Sequence, residues 1–405
     1  MQEKVLAEKC LTHLQNLCVE ISERCVGSEG NRASTRYFNK ILSGYGWHTE
    51  MPEFDVIDWI DGGATLKAGN KNFEVNVSPY APACKVQGKL ITATSIEELE
   101  SKEVKGKILL LHGDMAREQL MPKNFVFYNP DRHQKIIALL EQKQPAAIIT
   151  ATGRNAALAG GVYPFPMIED GDFDIPSVYM TEEEGKRLLT YQFKSVTLHS
   201  RSRRIPAKAY NVIAEKGDNP NKRIVFTAHI DAKKGSPGAI DNATGVVIQL
   251  LLAELLKNYT GNRRIEIVAF NGEDYYAAPG QMNYILNNQN NFKDIILNIN
   301  IDGAGYKEGK TSFSFFDLPL EIRSEADKVL AKFEGITEGP QWPQGDHSIF
   351  LQKGCPAIAI SSLWLLENME DQNITHTPAD KIDIVDCEKL VELAKALDRL
   401  VNKIG

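Results

Sequence analysis

Near the amino terminus, apolar positions recur at helical spacing. Leu6, Cys10, Leu14, Leu17 and Ile21 form one face within residues 1 to about 25, and Tyr37, Ile41 and Leu42 begin a second after the Ser28-Glu29-Gly30-Asn31 turn. This predicts two helices packed on a main sheet. A strand-like stretch from about Glu50 to Trp59 follows, and Asp61-Gly62-Gly63 breaks it. From about 63 to 204 the pattern changes to short β-rich runs such as Lys107 to Leu111 and Ala146 to Thr150, with a helical stretch at Lys135 to Glu141. At Ile205-Pro206 the chain returns to apolar strands alternating with helices. Arg223 to Ala228, Arg264 to Phe270, Ile295 to Ile301 and Cys355 to Ile360 read as strands, and the segment after Asp241 reads as a largely buried helix ending near Lys257. Such alternation predicts an α/β fold with a doubly wound mixed sheet and helices on both faces. That domain takes residues 1–62 and 205–405, interrupted by an inserted β-rich domain, 63–204.

Composition narrows this picture only a little. With 405 residues, 43% of them hydrophobic, the chain can bury a sizeable core in two or three domains. A net charge of -7 and the lack of a Lys/Arg run argue against nucleic acid as a partner. No stretch is long enough to span a bilayer, so no membrane partner is expected. The start MQEKVLAEKC runs straight into an amphipathic pattern without the parts of a signal peptide, so a cytoplasmic location is expected. The six cysteines form no CxxC pair, which argues against a zinc-thiolate site. Cys10 and Cys18, read onto one helix, lie roughly 12 Å apart, too far for a disulfide. Reduced thiols are expected.

The chemistry-bearing residues sit where an open α/β sheet gathers its binding groups, just beyond the carboxyl ends of strands. His229 follows IVFTA, Asp274 follows IEIVAFNGE and Asp302 follows IILNINI. Asp241 lies in GAIDNATG, at the turn into the apolar helix, and His376 lies in THTPAD. Taken alone, Asp241 reads as a helix N-cap and His376 as a loop histidine. Taken together, the five have the side chains to hold two divalent metals around one shared carboxylate. A metal pair about 3.5 to 4 Å apart polarises a carbonyl and generates hydroxide at neutral pH. Glu273, beside Asp274, is placed to act as the general base. Asp231, two residues after His229, can orient that imidazole through its second ring nitrogen. Asp380 can cap the following helix or support His376. His112, His133 and His199, in the inserted segment, read as structural or surface histidines.

At this point the chain resembles the co-catalytic di-zinc aminopeptidases, of the clan that also contains glutamate carboxypeptidases and glutaminyl cyclases. HIDAKKGSPGAIDNATG, FNGEDYYAAPG, NINIDGAG, GDHSIF and ITHTPAD are similar to the family's ordered motifs, and RCVGSEGN resembles its amino-terminal turn. The resemblance implies one metal on His229, Asp241 and Asp274, a second on Asp241, Asp302 and His376, and Glu273 as base. It also implies a cis peptide at Asp241-Asn242 and a protease-associated-like character for residues 63–204. Zinc is the metal expected, with cobalt or manganese as alternatives. The activity implied is hydrolysis of the amino-terminal bond of peptides with a free amino terminus; the alternatives are glutaminyl cyclase-like or carboxypeptidase chemistry on the same fold. Two departures stand out. Asp274 replaces the glutamate of many relatives, and no tyrosine follows Tyr306 to stabilise an oxyanion. His347 is the expected replacement donor, with Asp346 beside it binding the substrate amine or orienting His347.

Overall fold

The computed structural model describes residues 2–21, 23–125, 128–219 and 222–404. Met1 and Ser22, both within the first predicted helical stretch, lie outside them, as does Gly405. Two compact units emerge, Met1–Val56 with Lys208–Gly405, and Ile57–Ala207. The expected borders, 62/63 and 204/205, sit a few residues away because the observed ones fall inside strands, Glu53–Ile60 and Arg203–Tyr210, and not at the glycine turn.

In the larger unit, β1 (His48–Glu50), β2 (Val212–Lys216), β3 (Arg223–His229), β4 (Arg264–Phe270), β5 (Ile295–Ile301), β6 (Thr311–Phe316), β7 (Ile336–Glu338) and β8 (Ala357–Ser362) form one sheet in the order β1-β2-β4-β3-β5-β8-β6-β7. Its centre, β4-β3-β5-β8, is parallel; β2 runs antiparallel to β1 and β4, and β6 runs antiparallel to β8 but parallel to β7, so the sheet is mixed. Every residue of β3 is buried and β4 is nearly so. A parallel sheet covered on both faces needs such continuous apolar runs, which is why these strands are readable from sequence.

The helix Thr244–Leu255 is buried along most of its length and shares one apolar core with the helices Gln2–Gln15 and Cys387–Ile404. Gln249 in its middle is compatible with that core because its Nε2 donates to two strand carbonyls, Phe226 at 3.2 Å and Val268 at 2.9 Å. The first helix ends at Gln15 and continues as a wider π turn, Asn16–Glu20, so Leu6, Cys10, Leu14 and Leu17 share the buried face while Ile21 falls beyond it. All six cysteines are free thiols.

The unit Ile57–Ala207 is more than β-rich. Cys84–Ala93, Ile108–Leu111, Ala147–Thr152 and Ser177–Thr181 pair in parallel, with antiparallel strands on either side. Helices Asp131–Lys143 and Glu182–Leu189 accompany them. His133 is buried there, its Nδ1 accepting from the Met121 amide at 3.1 Å, and burial holds its basicity below the usual imidazole range. It has the structural role the pattern suggested.

One buried ion pair ties strands of the larger unit to the segment after β4. Arg223 on β3 lies 2.7 Å from Glu266 on β4, and the Tyr284 hydroxyl donates to the other Glu266 oxygen at 2.6 Å. Arg223 also donates to Asn288 Oδ1 and the Asn291 carbonyl. Removing one partner strands the other charge without water, which costs about 3 to 5 kcal/mol. Glu266→Leu is therefore expected to lower the unfolding free energy by about that amount in chemical denaturation; a loss below about 1 kcal/mol would show that the pair does not hold these strands together.

Candidate metal centre

Three adjacent parallel strands end at the same edge of the sheet, and each delivers an acid or an imidazole. β3 ends on His229, β5 is followed at once by Asp302, and β4 is followed by the turn that carries Glu273 and Asp274. Gly272 makes that turn with a φ of +119°, and a Cβ there would lie 2.6 Å from Pro279 Cδ, so only glycine fits. Asp241 projects from the short turn Ala239–Ala243 before the buried helix, with a cis Asp241-Asn242 peptide as the resemblance implied. His376 comes from a loop in which it adopts a φ of +63°.

These elements bring the five expected ligands together. Asp241 presents one oxygen to each imidazole: Oδ1 lies 3.1 Å from His229 Nε2 and Oδ2 lies 3.1 Å from His376 Nε2. His229 Nε2 is 3.6 Å from Asp302, and His376 Nε2 is 3.0 Å from Asp274. The direct contacts therefore group the carboxylates differently from the division that the resemblance implied, exchanging Asp274 and Asp302. His229, Asp241 and Asp274 do offer atoms within 4.8 Å of one another, so Asp274 lies near both imidazoles while its direct contact is with His376. Sequence order could not reveal the pairing, which depends on how far the turn after β4 swings each side chain.

The donor set suits divalent cations. His229 is buried, and its Nδ1 lies 3.3 Å from the Asp231 carbonyl. A carbonyl only accepts, so Nδ1 carries hydrogen, and the neutral ring offers its lone pair at Nε2. His229 Nε2 and Asp274 Oδ2 are both buried without a hydrogen-bond partner among the described residues, as expected of atoms whose partner is a metal. Burial opposes charge on either histidine, yet the surrounding carboxylates raise both well above the usual imidazole range, led by Asp302 for His229 and by Asp274 for His376. Burial works against ionisation of Asp241 too, but the two imidazoles hold its carboxyl below the usual carboxylate range.

Asp231 does something other than what its spacing suggested. Its carboxylate is 3.8 Å from His229 Nδ1 and accepts instead from three successive amides, Gly272 at 2.7 Å, Glu273 at 3.3 Å and Asp274 at 3.1 Å. It thus holds the turn that carries the candidate base and one ligand, while its main-chain carbonyl orients the imidazole. Glu273 is half-buried, and burial first, then neighbouring carboxylates, push its carboxyl well above the ordinary range.

His347 does not fit the oxyanion role. Its Nε2 lies 2.9 Å from the Trp342 carbonyl and so must donate there; its ring packs against Phe316 and Trp342. Burial pulls its pKa down to about 4, which keeps the ring neutral and makes Nδ1 an acceptor. A developing negative oxygen needs a donor. Asp346 accepts from Gln281 Nε2 at 2.6 Å, and burial raises it to about 7. Gln281 went unnoticed in the sequence because it lies 65 positions from its partner.

Comparison with known proteins points to one peptidase family. Residues 211–401 match peptidase family M28. Aminopeptidase YwaD of Bacillus subtilis is 24% identical over 401 residues, covering 95% of this chain and 82% of its own length. A probable leucine aminopeptidase 2 of Aspergillus oryzae is 22% identical over 287 residues, covering 69% of this chain; the match spans only 54% of that relative. Among solved structures, an aminopeptidase from Aneurinibacillus sp. strain AM-1 superposes with a TM-score of 0.77 at 21% identity, covering 98% of this chain and 93% of its own. BSAP, a zinc aminopeptidase from Bacillus subtilis, gives 0.75 at 19%, with 98% and 94% covered. A glutaminyl cyclase of Porphyromonas gingivalis is more distant, at 0.55 and 14%, with 98% of each chain covered. The structural likenesses establish the fold. The matched stretch, residues 211–401, contains all five clustered ligand candidates together with Glu273 and Asp231, and it carries the likeness to peptidase family M28.

Proposed function

We propose that this chain is an aminopeptidase that hydrolyses the amino-terminal bond of short peptides at a pair of divalent metals, zinc in the first instance. One metal would be held by His229, Asp241 and Asp302, the other by His376, Asp241 and Asp274. A single observation carries this reading: the two oxygens of Asp241 are divided between two imidazoles, 3.1 Å from each, with a further carboxylate at each imidazole. When bound, such a pair supplies Lewis-acid polarisation of the scissile carbonyl and lowers the pKa of water.

The chain's own residues do the rest. Glu273, held by Asp231 through its amide, takes a proton from the attacking water and hands it to the leaving amine. A carboxyl pushed upward by burial is matched to that two-way transfer near neutral pH. Asp231 keeps Glu273 and Asp274 in fixed relation, so base and ligand move as one piece. The names of the two sequence relatives, both aminopeptidases, favour a free amino terminus on the substrate over cyclisation of glutamine.

Glu273→Gln is expected to retain metal and fold while kcat falls about 10²- to 10⁴-fold; a kcat near that of the parent would remove Glu273 from the mechanism. A second measurement separates the activities. Leucine p-nitroanilide should be cleaved, its N-acetylated form should not, and a glutaminyl peptide should lose its first residue and not cyclise. Equal cleavage of free and blocked substrates, or pyroglutamate as the main product, would contradict the proposed reaction.

A further inference from the structure

The stretch from His229 to Asp241 runs from one imidazole to the shared carboxylate, and two buried charged residues that touch no expected ligand side chain grip its backbone. Arg24, in the amino-terminal motif, is 2% exposed. Its Nε donates to the Ile230 carbonyl at 3.0 Å, Nη1 to Pro237 at 2.8 Å and Nη2 to Gly238 at 2.7 Å. Nη1 also donates to Leu17, and the Arg24 carbonyl accepts from the Ala232 amide. Asp380 holds the other end. It is fully buried; Oδ1 accepts from the Ile240 amide at 2.7 Å, Oδ2 from the Asp241 amide at 3.0 Å, and its carbonyl from the Ala239 amide at 3.2 Å.

We propose that Arg24 and Asp380 are positioning residues for the metal pair: Arg24 grips the carbonyls and Asp380 the amides of the segment that sets Asp241 between the two histidines. This rests on the metal reading of Asp241 given above. Burying a guanidinium and a carboxylate is costly unless their hydrogen bonds are met, and here both charges are directed at one short segment. That segment has no slack. Gly238, at a φ of +58°, lies so close to its surroundings that a Cβ would sit 2.5 Å from Ala232 Cβ and 2.6 Å from the Asp241 carbonyl. Asp380 also stands four residues after His376, so the loop that supplies one ligand holds the backbone of another.

The test is zinc affinity of the full chain, measured by competition with a chromogenic chelator, alongside circular dichroism and the melting temperature. Arg24→Lys keeps the charge and so leaves the field at the site unchanged, but one ammonium cannot reach carbonyls at both ends of the loop. Asp380→Asn sets an amide NH2 against one of the two backbone N–H groups. Both folded variants are expected to bind zinc about 10- to 100-fold more weakly. Two zinc ions at parental affinity in both variants, even with a lowered melting temperature, would overturn the proposal and leave a purely structural role. If Asp380→Asn does not fold, Arg24→Lys decides the matter by the same readout. A parent chain that binds no zinc would instead overturn the metal reading itself.

Discussion

Everything at this site depends on a charge imbalance. Asp241, Asp274 and Asp302 converge on two imidazoles, with side chains only 5 to 18% exposed. Glu273, Asp231, Asp346 and Asp380 stand close behind; the first two and Asp346 are felt electrostatically across the same cluster. Two histidines do not neutralise that many acids in a crevice shielded from water. The upward shifts of Glu273, Asp231, Asp302 and Asp346 express the same strain, with burial as the largest cause in each. Divalent cations held between the acids would relieve it and invert the local preference for protonation.

The fold meets this demand by building the site on its most rigid part. β3, β4 and β5 are neighbours in the parallel centre of the sheet, locked below by the helix Thr244–Leu255. Their ends are fixed by packing that has nothing to do with metal, so ligands placed there are preorganised. The parts that come from loops need separate control. Asp231 holds the turn after β4, while Arg24 and Asp380 hold the segment leading to Asp241. In each case a buried charge is spent on main-chain groups, and geometry is the return.

The sheet and the clustering of the five candidate ligands were legible in the sequence for related reasons. β3, β4 and β5 are continuous apolar runs because both their faces are covered, and a polar residue directly after such a run has few places to go except the strand end. The groupings were not legible. Whether Asp274 or Asp302 meets His229 depends on a glycine turn at Gly272 whose direction local spacing does not encode. Asp231 was recognised as a supporting residue, but its carboxylate goes to amides 41 to 43 positions away. His347 looked like a free donor because its partner, a main-chain carbonyl, leaves no trace in side-chain identity. The inserted unit was read as β-rich since its short strands dominate the pattern, although four of them form a parallel core with helices.

The central claim is that Asp241 is shared by two metals, with His229 and Asp302 on one side and His376 and Asp274 on the other. Anomalous diffraction from zinc-loaded crystals at the zinc absorption edge tests this most directly. The account predicts two peaks per chain flanking the Asp241 carboxylate, one against His229 and Asp302, the other against His376 and Asp274. A single peak, or a pair in which Asp274 joins His229 and Asp302 joins His376, would contradict it.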